Sequence, residues 1–153
     1  MPSSRKPWDQ LLANLIVKSL TKTVITPNQI TIFSLILALT GSFLISLSDP
    51  FLLNLGAGLF IIARFLDHFD GELARLKNMQ SKLGYYLDYV AGGISYGSLF
   101  LCLGIGFVDG FLGKWSILLG GLGALCAISS LFLNLAIDKK NKEIEKGNKT
   151  NKL

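Results

Sequence analysis

The stretch DHFDGELARLKNMQSKLGYYLDYVAGG, from Asp67 to Gly93, sets three aspartates at or beside strongly apolar segments. Asp67, Asp70, Gly71 and Ala74 fall at i, i+3, i+4 and i+7, so one helical face carries two carboxylates beside two minimal side chains. Gly84, Asp88 and Gly92 follow at steps of four and share a face on the next segment. A carboxylate turned toward lipid costs roughly 2.5–3.5 kcal/mol even on a lenient insertion scale. These aspartates should therefore face a protein interior or a watery cavity. Gathered carboxylate oxygens repel one another unless a hard divalent cation neutralises them. Mg2+, or Mn2+ in its place, is the natural choice, with or without a ligand's phosphates. The small residues leave room for close helix approach or for a flat ligand. The plain alternative is an interfacial cluster of acids at a span end, followed by bases.

The segments that must position these groups are long and greasy. Half of the 153 residues are hydrophobic and only 16% are charged, against about a quarter in soluble domains. The net charge of +5 gathers mostly at the ends and does not point to nucleic acid. Four apolar segments approach the ~20 residues that cross a bilayer. They predict spans over about 28–47, 51–76, 83–107 and 114–137, with a lysine-rich tail over 138–153. The fold class is thus an all-α, polytopic membrane helical bundle. The first apolar segment starts too late, and lacks the small-residue cleavage site, for a signal peptide. Cys102 and Cys126 lie in apolar stretches and read as packing residues.

Lysine and arginine positions predict orientation. Arg5, Lys6, Lys18 and Lys22 precede the first span, and Arg75, Lys77 and Lys82 lie between the second and third. Six further lysines fill the tail, whereas the first-to-second loop has no basic residue and the third-to-fourth has only Lys114. Both termini and the middle loop should be cytoplasmic. The second span then runs inward and the third outward, so Asp67, Asp70 and Asp88 converge just inside the cytoplasmic face. Residues 8–22 predict an amphipathic helix on the membrane surface, with Trp8, Leu11, Leu12, Leu15, Ile16 and Leu20 on one side. The following TPNQ offers Thr26 as a cap, Pro27 at the first helical position and Gln29 to close a capping box. That start places Asn28 and Thr31 near the same surface. Gly93–Gly97 and Gly106–Gly110 match the G-x-x-x-G spacing for close helix packing, within the chain or in a homodimer.

The pattern D-x-x-D-G-x-x-A-R, then G-x-x-x-D, resembles the signature of the CDP-alcohol phosphatidyltransferases, matched here by Asp67, Asp70, Gly71, Ala74, Arg75, Gly84 and Asp88. The TPNQIT opening and the surface helix resemble that family too. The resemblance implies a membrane phosphotransferase of phospholipid biosynthesis with its active site at the cytoplasmic face. A CDP-diacylglycerol or CDP-alcohol donor would pass its phosphatidyl or phospho-alcohol group to a lipid or polar alcohol acceptor, with release of CMP. By resemblance Asp67, Asp70 and Asp88 hold the divalent metal, Gly71 and Ala74 make room for the cytidine nucleotide, and Arg75 and Gly84 complete its site.

The resemblance also implies a fourth aspartate, a general base and further metal ligand, where this chain has Gly92. Neither His68, about 100° round the helix from Asp67, nor Asp109, toward the opposite face, stands in for it. Family members usually have six spans, so four spans imply either a natural short form or a truncated product. A metal- and CDP-lipid-binding relative without turnover is the alternative reading, and a small ion-coupled carrier a third. Mid-span helices unbroken by proline, and the glycine–alanine face, speak against the carrier.

Overall fold

The computed structural model describes residues 20, 21 and 23–150, with side chains as far as residue 141. The predicted surface helix therefore lies, but for its last residues, outside the described part. Four helices follow in order: α1 Pro27–Ile45, α2 Pro50–Leu76, α3 Lys82–Gly106 and α4 Trp115–Thr150. Each contains a stretch long and apolar enough to cross a membrane. The helix ends fall within about two residues of the apolar segments read from hydropathy, except that α4 runs on through the lysine-rich stretch. Lysine and glutamate are good helix formers, and Lys139 and Glu143 stand at i, i+4, so nothing local stops the helix there.

The helix starts are set by short polar residues. Gln29 Oε1 accepts from the Thr26 N–H at 2.9 Å, and Pro27 takes the first helical position. Asp49 Oδ1 caps α2, accepting from the amides of Phe51 at 3.0 Å and Leu52 at 2.9 Å. Ser81 Oγ caps α3 by accepting from Gly84 N at 3.0 Å. Such caps contribute about 1 kcal/mol each and fix where the chain turns back. Lys77 Nζ, at the end of α2, donates to the carbonyls of Thr23 and Ile25, both at 2.7 Å, tying the approach to α1 onto α2.

Helix α1 is the shared partner. It packs along both α2 and α3, and α3 packs along α4, while no comparably close backbone packing joins α2 to α3. The α1–α2 crossing depends on two glycines. A Cβ on Gly41 would stand 2.6 Å from the Gly56 carbonyl oxygen, and one on Gly56 would stand 2.5 Å from that of Gly41. Ala38, Phe60 and Ala63 form a small core beside this crossing, and Ile30, Phe69 and Leu73 form a second toward the other end. Gly93 and Gly97 face Leu131 and Ile128 of α4, so their G-x-x-x-G spacing serves packing within the chain. Most other large apolar side chains, among them Phe43, Ile61, Phe132 and Leu133, are exposed, as lipid-facing positions of a bundle must be.

Candidate functional site

Asp67 and Asp70 lie in the last turns of α2, Asp88 in the second turn of α3, and Thr31 and Ser34 near the start of α1. All five therefore sit at one end of the bundle. One oxygen of each carboxylate can be chosen so that the three lie within 4.8 Å of one another. The triad bridges two helices whose backbones stay apart, and α1 supplies its hydroxyls from the third side. Thr31 Oγ1 donates to Asp70 Oδ2, and Ser34 Oγ lies 3.3 Å from Asp67 Oδ1. Asp70 and Thr31 are both buried. This oxygen-only donor set fits a hard divalent cation such as Mg2+ or Mn2+, with Asp67, Asp70 and Asp88 as the residues that could hold it.

A cavity of about 290 Å³ opens beside the triad. Asp70, Gly71, Ala74 and Arg75 from α2 and Gly84 and Asp88 from α3 line it, with Asn28 and Thr31 from α1. A Cβ on Gly71 would meet nothing within 4 Å, so this glycine is not required by packing; its missing side chain is open space. Gly84 differs, since a Cβ there would stand 3.0 Å from Asn28 Oδ1 and 3.2 Å from Ser81 Oγ, and these side chains would have to give way by a few tenths of an ångström. The Arg75 side chain is 70% exposed and, among the described residues, pairs only with Glu72 at 3.6 Å, which leaves it able to meet an anion at the mouth.

A second cavity, of about 490 Å³, lies across the triad. Asp88 lines both cavities, and Asp67, Gly92, Tyr96, Ser130 and Asn134 line the second. His68 is exposed, and Asp109 lies in the turn after α3, at the other end of that helix; neither joins the triad.

Arg64 is the residue that spacing arguments about aspartates pass over. Its Nη2 stands 2.8 Å from Asp67 Oδ2, an ion pair by distance, although the angle falls outside hydrogen-bond geometry. Its guanidinium lies over the Tyr96 ring, 5.3 Å from the centroid, and its Nη1 lies 3.9 Å from where a Cβ on Gly92 would be. The signal was present in the sequence: Arg64 is the only lysine or arginine between Lys22 and Arg75, inside an otherwise apolar run. Ser34 likewise forms, with Thr31, a polar stripe at i, i+3 on an apolar helix.

A family model described as CDP-alcohol phosphatidyltransferase matches residues 24–152. The chain belongs to the CDP-alcohol phosphatidyltransferase family. With its four apolar helices it is an integral membrane protein of that family. This CDP-alcohol phosphatidyltransferase relative is similar to the archaetidylinositol phosphate synthase of Pyrococcus horikoshii, 33% identical over 106 residues, which cover 69% of this chain and 52% of that protein. It is also similar to an uncharacterised protein of Aquifex aeolicus, 32% identical over 104 residues, covering 68% of this chain and 52% of that one. The chain thus spans about half the length of the curated relatives it matches.

Proposed function

We propose that the protein transfers a phosphatidyl or phospho-alcohol group from a CDP-linked donor to an acceptor hydroxyl, releasing CMP, as a step in phospholipid synthesis. The observation that carries this reading is the triad of carboxylates from α2 and α3, within 4.8 Å of one another, set between two cavities. The first cavity, with its open face at Gly71 and Ala74, takes the cytidine nucleotide. Asp67, Asp70 and Asp88 hold Mg2+ or Mn2+, which when bound neutralises the donor's pyrophosphate and the charge that builds on it. Arg75 meets the phosphates from the mouth. The second cavity takes the acceptor, so its hydroxyl reaches the donor's phosphorus from the side opposite the leaving CMP. The chain's own contribution is chiefly positioning and charge.

The acceptor must also lose a proton. Gly92 supplies no base, so that proton passes to water in the second cavity, and the rate falls by roughly 10²–10⁴ relative to a site with a positioned base. This favours a second reading, in which the protein binds metal and CDP-lipid with little or no turnover. The proposed orientation has both ends of the chain and the active site on the cytoplasmic side, with donor and acceptor taken from the membrane or its surface.

The test is CMP release by the purified chain in lipid nanodiscs, with CDP-diacylglycerol and CDP-alcohols against a panel of acceptors. The panel holds glycerol phosphate, inositol phosphate, serine and diacylglycerol. Mg2+-dependent release with one acceptor supports transfer. Mg2+-dependent binding of CDP-diacylglycerol without release supports the second reading, and absence of both refutes the two together. Reporters fused at Leu153 and within 109–114 should label opposite sides of the membrane; labels on one side would overturn the orientation.

A further inference from the structure

Gly92 leaves a gap in the acidic signature, yet the space it faces is not vacant. Arg64 of α2 reaches across to α3 and points its guanidinium there. Asp67 holds it from one side at 2.8 Å and the Tyr96 ring from the other at 5.3 Å. The side chains of Arg64 and Asp67 are each only 17% exposed. An arginine never gives up its charge, so Arg64 offsets one carboxylate of the triad permanently. The two negative charges that remain match one divalent cation. Gly92 leaves this arrangement undisturbed, because no carboxylate stands there to compete with Asp67 for the guanidinium, and even a Cβ would lie in ordinary contact with it at 3.9 Å.

We propose that Arg64 is a built-in cation of this site, occupying the space opposite Gly92, so that the triad takes up a single divalent ion. A carboxylate restored at position 92 would then pair with Arg64 in preference to the metal. The geometry favours that pairing. A Cβ at position 92 would lie 3.9 Å from Arg64 Nη1, in ordinary contact, so the carboxylate it carries comes within hydrogen-bond reach. Arg64 Nε is buried with no hydrogen-bond partner among the described residues and is ready to donate. Restoring the missing acid is therefore insufficient by itself; the arginine must go as well. The inference rests on the triad being the divalent-cation site.

The experiment counts Mn2+ bound per chain in nanodiscs by electron paramagnetic resonance and follows melting of the metal-free protein. The wild type should bind one Mn2+. Gly92→Asp should still bind one, with affinity within about threefold of wild type, and should melt higher when metal-free because it gains an ion pair with Arg64. Combining Gly92→Asp with Arg64→Gln should raise Mn2+ affinity at least about tenfold or admit a second ion, since the site then gains one negative charge and loses one positive. Two ions in the wild type would overturn the proposal while leaving the triad's metal role intact. So would a tenfold gain, a second ion, or lower metal-free melting in Gly92→Asp alone, which decides the matter even if the double variant does not fold. A wild type that binds no Mn2+ removes the metal reading itself.

Discussion

Thr31→Val isolates the part α1 plays in the metal site. The change is nearly isosteric and the position is buried, so what is lost is the hydroxyl that donates to Asp70 Oδ2. Removing a partner that orients a ligating carboxylate typically weakens metal binding about 10–100-fold. Metal that stabilises wild type by about 2.7 kcal/mol, at a concentration of 100 times its Kd, illustrates the size of the effect. At the same concentration a variant binding about 30-fold more weakly keeps only about 0.9 kcal/mol. For a chain of this size 1 kcal/mol corresponds to about 2–4 °C, so a Mg2+-induced rise of about 5–11 °C should shrink to about 2–4 °C. Thermal unfolding in detergent, with Mg2+ and with chelator, measures this directly. Thr31→Ser should keep most of the rise, and Ser34→Ala, whose contact with Asp67 is longer at 3.3 Å, should lose less than Thr31→Val. A full metal-induced rise in Thr31→Val would refute the claim that α1 orients the triad.

Asp70→Asn should abolish the Mg2+-dependent rise in melting, because it removes the buried member of the triad; a rise equal to wild type would show that metal binds elsewhere. Gly71→Ala should melt at or slightly above wild type, gaining about 0.5–1 kcal/mol of helix stability in open space. Gly71→Leu should fill the first cavity and weaken CDP binding at least about tenfold, as isothermal calorimetry would read; unchanged affinity would move the nucleotide out of that cavity. Gly56→Val should cost about 1–3 kcal/mol or more through overpacking, since its Cβ would stand 2.5 Å from the Gly41 carbonyl oxygen. The same variant should weaken Mg2+ binding although it lies far from any ligand, and unchanged Mg2+ affinity in a destabilised Gly56→Val would uncouple the crossing from the site.

The helices were legible because a bilayer imposes length and apolarity on each of them, and proline, serine and aspartate mark their starts. The face shared by Asp67 and Asp70 was legible for a similar reason, since helical spacing fixes neighbours on one element. Partners across elements were not. No periodicity says that Thr31 meets Asp70, or that Arg64 reaches from α2 to the blank face at Gly92. Those contacts depend on how deeply α1 settles, which two glycines at its crossing decide. Arg64 announced its importance by charge alone, in a run where a charge is expensive, but not what it would touch. The far end of α4 was read as a tail because lysine suggests solvent. Solvation and helicity are compatible, and the helix runs through to Thr150.

The reliance of α2 and α3 on α1 has an evolutionary side. Since the two acid-bearing helices lean on a common neighbour, the width of the gap between them is inherited from that neighbour's girth. Helix α1 carries no charged residue from Pro27 to Ile45, so nothing in it would be scored as catalytic. A lineage can nonetheless widen or narrow the gap by trading alanine, serine and glycine along α1, with the acidic signature untouched. Divergence in what such proteins accept would then be recorded in their least conspicuous helix.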